Sequence, residues 1–541
     1  MKDNVFFNVN GGVGRGVYEH SDFPDMESFI AHLDYLQIDR SLVWHVEARN
    51  INPSWGNRKL LAEIDAGGFA ERLIPAFVVT PSCYFERGTL DFLKANMSCG
   101  RVRALRVMPE LSRFPIREIE RLLAELAAFK PLVLWDCPVY HDELNIRDYE
   151  FLAAKFRKVN FAITQKMWPG FGAVLDLMWR CPNVYVDISW LHMRDTIGLL
   201  EEHFGAERIL FGIGYRSHYG AAAASLAHAQ IKGAHKELIA HGNIERLLGL
   251  KPLRNKLSGE PAILAKKPIW KKFVSGLPAG GVKIIDAHGH VGPSTRGWFL
   301  RGNDPDKKIP ALVRQMDRLG VQKLFISSSE ALFGDPVAGN RAAENAAAKY
   351  RSRFAGYLAF PPRFGREMAA ELDDFFARGF FVGFKLLPAY WKIPLSDPGY
   401  RPVWRYAHKH RLPVLIHTWD DKYNSPAMLN DIAPKYPGAF FLLGHSGGGT
   451  RGRSEAVVLS QANPNVILEF CGTFTTPVPF EESMRAVGKQ QVVFGSDTGA
   501  HCEAWELGRF LSMPVPDKDL IQALGANMER ILAKAKLGSR K

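Results

Sequence analysis

A chain of 541 residues is too long for one ordinary hydrophobic core and suits two domains of roughly 250 residues each. Its 47% hydrophobic and 23% charged residues are the composition of a soluble globular protein, and "MKDNVFFNVN" at the start is no signal peptide; no run of about 20 apolar residues follows, so the expectation is a cytoplasmic protein with no membrane segment. The net charge of +13 admits a nucleic-acid partner, but Lys251, Arg254, Lys256, Lys266, Lys267, Lys271 and Lys272 against Glu260 place nearly half of it between 251 and 281, which reads as a solvated basic linker and not as a polyanion site.

Taken in chain order, the first half offers eight short apolar runs, "NVFFN", "SLVWH", "LIPAFVV", "VRALRV", "PLVLW", "NFAIT", "NVYVD" and "RILFG", each followed by a helix-like stretch. The second half repeats the series with "KIIDAH", "KLFIS", "FAGYLAF", "FVGFKL", "PVLIH", "FFLLGH", "NVILEF" and "VVFGS". Eight strand–helix units in about 250 residues predict a (β/α)8 barrel. "GNR" at 56–58 returns at 339–341, and "NIERLL" from Asn243 returns as "NMERIL" from Asn527, with offsets confined to 278–284 residues. Convergence on a common fold does not preserve order and spacing in this way, so the chain is read as α/β, two tandem TIM-like barrels made by internal duplication. The expected domains are 1–250 and 282–541, joined by the linker at 251–281, where neither periodicity persists. Of the six cysteines, Cys83, Cys99, Cys137, Cys181, Cys471 and Cys502, none forms a CxxC pair, which argues against a cysteine zinc site and fits a reducing compartment.

The two copies differ where chemistry is expected. "IIDAHGHVG" at 284–292 aligns with "FFNVNGGVG" at 6–14, so that His288 faces Asn10 and His290 faces Gly12. With 17 histidines in the chain, about half an HxH arises by chance, and "AHKHR" at 407–411 is a second one that reads as solvated cations in a last helical turn. His288 and His290 end a strand, where residues i and i+2 share a face. His417 ends "PVLIH", His445 ends "FFLLGH" and Asp497 follows "VVFGS", so the ends of strands one, five, six and eight bring four imidazoles and a carboxylate to one cup. Such a set suits zinc, with manganese, iron and cobalt as further candidates.

Through "DAHGH", "GFKLLP", "PVLIHTW", "LLGHSGG", "FGSD" and "GANMERIL", the second half resembles the amidohydrolase superfamily, specifically the amidohydrolase-2 branch of metal-dependent hydrolases and decarboxylases. The resemblance implies that His288, His290, His417 and Asp497 bind one divalent metal and that His445 is the acid–base or oxyanion-polarising residue beside it. Lys385 in strand four is either a carboxylated bridge between two metals, as in binuclear relatives, or a contact for an anionic substrate group, or a lysine paired within the barrel. Trp419 and Asp420 resemble a family "WD" loop that walls the pocket, unless packing alone explains the tryptophan. "SGGGTRGR" at 446–453 offers backbone amides with Arg451 and Arg453 to a carboxylate, or is a tight turn with solvated arginines. "SDTG" departs from the family's "SDxP", which signals a reshaped loop containing His501 and Cys502.

Mapped into the first copy, Lys385 becomes Arg106, His417 becomes Trp135, His445 becomes Gln165 and Asp497 becomes Gly214. No metal set survives, Trp135 and Arg106 would fill or neutralise the cup, and the first barrel is expected to be a pseudoenzyme domain. It is also expected to pair with the second as an intramolecular pseudo-dimer, with further homo-oligomerisation left open. The function expected is hydrolysis of a small, carboxylated lactone, amide or ester-like molecule by metal-activated water, with Asp497 and His445 catalytic and Lys385 and Trp419 binding substrate. The alternatives are decarboxylation of an aromatic or unsaturated acid, and a non-catalytic binding or scaffold protein.

Overall fold

The computed structural model describes residues 5–17, 22–136, 146–165, 170–253, 255–292, 305–472 and 476–537, except the side chains of 305–308. Cys137 and Arg254, noted above, lie outside the described residues. The chain divides into two compact units, Met1–Leu264 and Ala265–Lys541.

In the first unit, eight parallel strands follow in sequence order: β1 Phe7–Val13, β2 Arg40–His45, β3 Leu73–Val78, β4 Ala104–Val107, β5 Leu132–Asp136, β6 Asn160–Thr164, β7 Val184–Asp187 and β8 Ile209–Leu210. The second unit has the same order in β9 Ile285–Val291, β10 Lys323–Ser328, β11 Phe354–Ala359, β12 Phe381–Leu386, β13 Pro413–His417, β14 Phe440–Gly444, β15 Val466–Glu469 and β16 Val492–Val493. Each sheet closes on itself, Val9 N donating to Phe211 O at 3.0 Å and Ala287 N to Phe494 O at 2.9 Å. These are two tandem (β/α)8 barrels. The strands are apolar almost throughout because both faces are covered, one by the barrel interior and one by the helices. Phe7, Val9, Leu42, Leu134 and Leu210 fill the first interior, and Ile285, Ala287, Tyr357, Leu415 and Ile467 fill the second.

The repeated motifs prove to be scaffold. Asn57 bonds both backbone groups of Val78, and Asn340 does the same to Ala359, so the "GNR" asparagine ties the helix after strand two to strand three in each copy. The preceding glycine permits the approach, because a Cβ on Gly56 would stand 2.0 Å from Ala48 N and one on Gly339 2.2 Å from Ala331 N. Asn243 donates to Ala206 O and Ile209 O, and Asn527 to Lys489 O and Val492 O, each following a π-helical turn at the same place.

The segment 251–281 is not a solvated linker along its length. Leu257 N and Ser258 N donate to Asp39 Oδ1 in the first unit. Lys267 is fully buried in the second unit, 2.9 Å from Asp517 Oδ1 and donating to Val515 O, and Trp270 and Phe273 are buried beside it. Spacing and charge alone missed this because the helix, Pro268–Val274, is only seven residues long and buries only Trp270 and Phe273.

Candidate metal centre

The second cup is organised from β9 outward. Asp286 lies buried one step below the cup and accepts from His288 N at 3.1 Å and Ser496 N at 2.9 Å, pinning β9 to the segment after β16. Burial pushes its carboxyl up to about 8. His288 and His290 leave β9 on the cup face. His288 Nδ1 meets Glu469 Oε2 at 2.9 Å and His290 Nδ1 meets Ser327 Oγ at 2.9 Å, so both rings turn Nε2 toward the centre. Asp497, in the left-handed region at φ 53°, sets Oδ1 2.9 Å from His290 Nε2 and 3.5 Å from His288 Nε2. These three ligand atoms lie within 4.8 Å of one another.

His445 and His417 stand beside them, their ring centroids 4.6 Å apart, with His445 5.2 Å from His288. His445 Nδ1 donates to Cys471 O at 2.9 Å, which leaves its Nε2 as a lone pair, and the residue adopts φ 68° at the end of β14. Burial, reinforced by the Lys385 ammonium, holds the His288 imidazole well below its usual range, and burial lowers His445 as well. Burial by itself would raise the Asp497 carboxyl, but the imidazoles of His288, His501 and His290 hold it well below the usual carboxylate range. Imidazole nitrogens and a carboxylate oxygen converging in this way are the donor set of a divalent ion, and the residues present therefore fit one.

His288, His290, Lys385, His417, His445 and Asp497 all line one cavity at the strand ends, whose outer wall is Leu332, Phe333, Leu387 and Tyr390. Lys385 is fully buried with Nζ 2.5 Å from His288 Nε2. Trp419 lies outside that lining; it stacks on His417 at 6.1 Å and packs on Gly448, where a Cβ would fall 2.2 Å from its ring. Neither reading of the "SGGGTRGR" arginines describes Arg453, which is buried over the rings of Phe470 and Phe480 and bonds Ser446 O. Exposed Arg451 reaches Asp420 O at 3.1 Å. Sequence reasoning missed Glu469, Ser327, Cys471 and Tyr390. The period-two alternation that puts Glu469 two residues beyond the inward Ile467 was the available signal for the first of them.

The first cup is filled. A Cβ on Gly12 would stand 2.9 Å from the Trp44 indole, so Trp44 takes the space that the His290 ring takes in the other barrel. A Cβ on Gly214 would stand 2.0 Å from His218 Nδ1, so that ring lies where the Asp497 side chain begins in the second copy. Arg106, fully buried, bonds Asn10 Oδ1 at 2.6 Å and pairs with Asp136 Oδ1 at 2.7 Å. Gln165 keeps the left-handed turn of His445, at φ 58°. One alignment needs correction. Arg106 pairs in register with Leu134 as Lys385 does with Leu415, which makes Asp136, not Trp135, the counterpart of His417. A slip of one residue exchanges the faces of a strand. Trp135 accordingly stacks on Phe161 at 4.2 Å, outside the barrel interior, and Asp136 turns inward to Arg106. Among the described residues, every group able to hold a metal lies in the second unit. Also among them, no helix is long and apolar enough to cross a membrane.

Comparison with known structures finds a 5-carboxyvanillate decarboxylase from Sphingomonas paucimobilis, 16% identical over 47% of this chain and 99% of its own, at a TM-score of 0.36. A 2,6-dihydroxybenzoate decarboxylase from Rhizobium is 16% identical over 47% and 99%, at 0.37. A probable 2-pyrone-4,6-dicarboxylic acid hydrolase from Acinetobacter baumannii is 15% identical over 46% and 99%, at 0.36. No curated protein matches the sequence. The amidohydrolase family model matches residues 136–250 and 285–537, taking in every histidine and carboxylate of the second cup. With two parallel eight-stranded barrels and most of its length within that match, this chain belongs to the amidohydrolase-2 family of metal-dependent enzymes.

Proposed function

We propose that the second barrel is a metal-dependent hydrolase of a small carboxylated lactone, amide or ester, and that the first barrel carries no chemistry of its own. The observation that supports this reading is the convergence of His288 Nε2, His290 Nε2 and Asp497 Oδ1 in a cavity that His417 and His445 also line. His288, His290, His417 and Asp497 would hold the ion, zinc being the best match to imidazole and carboxylate, with manganese, iron and cobalt next. When bound, a divalent ion supplies hydroxide at neutral pH and polarises a carbonyl.

The protein's own groups supply the proton movements. Asp497 takes the proton of the attacking water and returns it to the leaving oxygen or nitrogen. The Nε2 of His445 exchanges a proton with the developing oxyanion, its orientation fixed by the bond from Nδ1 to Cys471 O. Lys385 offers its ammonium to a substrate carboxylate, and Trp419 backs His417. Decarboxylation of an aromatic or unsaturated acid is the second reading, favoured by Leu332, Phe333, Leu387 and Tyr390, which line the same cavity as Lys385.

Elemental analysis of the purified protein beside a His288→Ala, His290→Ala variant tests the site. About one divalent ion per chain, absent from the variant, is expected. Incubation of the loaded protein with lactones and unsaturated acids then separates the reactions, since hydrolysis releases acid and decarboxylation releases carbon dioxide. No metal after reconstitution with zinc, manganese or iron would refute the enzyme reading and leave a two-barrel binding protein.

A further inference from the structure

The geometry points to Glu469 as a positioning residue that orients two of the three imidazole-bearing strands of the centre and thereby sets its affinity for metal, an inference that rests on the metal-dependent reading above. Glu469 ends β15, is fully buried, and is absent from the lining of the cavity that holds the other groups. Its Oε2 accepts from His288 Nδ1 at 2.9 Å and from the backbone N–H of His445 at 3.3 Å. Its Oε1 accepts from Cys471 N at 2.7 Å, and the Cys471 thiol lies 3.1 Å from Oε2. Each carboxylate oxygen has about two lone-pair sites; three donors crowd Oε2 and one takes Oε1.

Two consequences follow. The bond to His288 places the proton on Nδ1 and leaves Nε2 as a lone pair facing the cup, the tautomer a metal ligand needs. The bond to His445 N ties the backbone at the end of β14 to β15. One side chain therefore ties β9 to β14 through β15.

The degenerate copy supplies the contrast. At the matching place β7 ends in Asp187, one methylene shorter, which turns back to Ser189 N at 3.2 Å and Ser189 Oγ at 2.8 Å. Its would-be partner is Asn10, which donates instead to Ile213 O at 3.1 Å. The longer carboxylate and the histidine it orients occur together in one copy and are absent together from the other. His288, Glu469 and Cys471 also lie close enough to be read as a metal group in their own right. The cavity excludes Glu469 and Cys471, however, and the four donors already use the carboxylate.

Glu469→Gln and Glu469→Asp in the full chain, prepared metal-free, test the inference. Whichever way the amide turns in Glu469→Gln, one donor loses its acceptor; the shorter carboxylate of Glu469→Asp falls short of His288. Zinc affinity is measured by competition with a chromophoric chelator, the His288 tautomer by long-range nitrogen–proton NMR on histidine-labelled protein, and folding by the thermal midpoint without metal. The expected result is a 10- to 100-fold loss of zinc affinity in both variants and loss of the pure Nδ1–H signature of His288, at a nearly unchanged midpoint. Wild-type affinity and tautomer in a folded variant would overturn it, as would a loss of affinity only in proportion to unfolded protein. If Glu469→Gln does not fold, Glu469→Asp carries the same measurements. A wild-type protein that binds no zinc, manganese or iron defeats the metal reading itself, an outcome distinct from variants that match a metal-binding wild type.

Discussion

Arg106 is the sharpest test of whether the first cup is a structural plug. Its guanidinium is fully buried, with Nη2 2.7 Å from Asp136 Oδ1 and Nε 3.2 Å from Asp136 Oδ2. Arg106→Met would leave Asp136, itself only 8% exposed, with a single side-chain donor, Thr164 Oγ1 at 2.6 Å. An uncompensated buried charge of that kind costs about 3–5 kcal/mol, whereas replacing both members of a buried pair by apolar residues is close to neutral or stabilising. Arg106→Met, Asp136→Leu should therefore recover most of what Arg106→Met loses; Asn10 Oδ1 keeps Gln165 Nε2 at 3.5 Å in either case. With two barrels in one chain a single unfolding midpoint is ill-defined. Hydrogen exchange read by mass spectrometry assigns the loss to peptides of Met1–Leu264, with those of Ala265–Lys541 as the internal reference. Metal content of the second barrel should not change. A loss below about 1 kcal/mol in the single variant, or a double variant no better than the single, refutes the reasoning that this pair plugs the cup.

Other sites give independent tests. His45 is buried and caps the helix Val46–Asn50, its Nδ1 accepting from Glu47 N, and burial lowers its pKa to about 4, helped by Lys59. A base whose folded pKa is depressed contributes stability that is fully present above the unfolded value near 6.5 and is lost as pH falls toward 4. The slope should approach about 1.4 kcal/mol per pH unit, roughly 3 kcal/mol in all. His45→Asn, which retains a cap acceptor and cannot titrate, should remove that slope from acid unfolding curves; an unchanged slope would place the linkage elsewhere. Gly56→Ala and Gly339→Ala should each destabilise their own barrel by about 1–3 kcal/mol or more, as a forced contact between backbones does. A neutral effect at either position in thermal unfolding contradicts the close approach drawn for that copy.

Much was legible before any fold was known. All sixteen strands, their order, the duplication and the loss of histidines from one copy follow from apolar runs and repeated spacing, because a strand buried on both faces must be apolar throughout and a duplicated scaffold must keep the residues that tie its layers together. Asn57 and Asn340, or Asn243 and Asn527, are alike because they bond backbone, and backbone does not change with function. The gathering of His288, His290, His417, His445 and Asp497 was also legible, since a barrel brings its strand ends to one cup.

What the sequence could not determine depends on facing and reach. Trp135 and Asp136 are neighbours in "LVLWD", and only the register with β4 decides which one enters the cup. Trp44 and His218 are ordinary side chains in sequence, and only the glycines opposite them, Gly12 and Gly214, show that they occupy the vacated ligand positions. Glu469 is one carboxylate among 56 acidic residues until β15 sets it 2.9 Å from His288. Composition and spacing record which residues must be apolar or able to bend, a property of each position taken singly. Who meets whom across a closed sheet is a property of pairs far apart in the chain, and tertiary packing alone decides it.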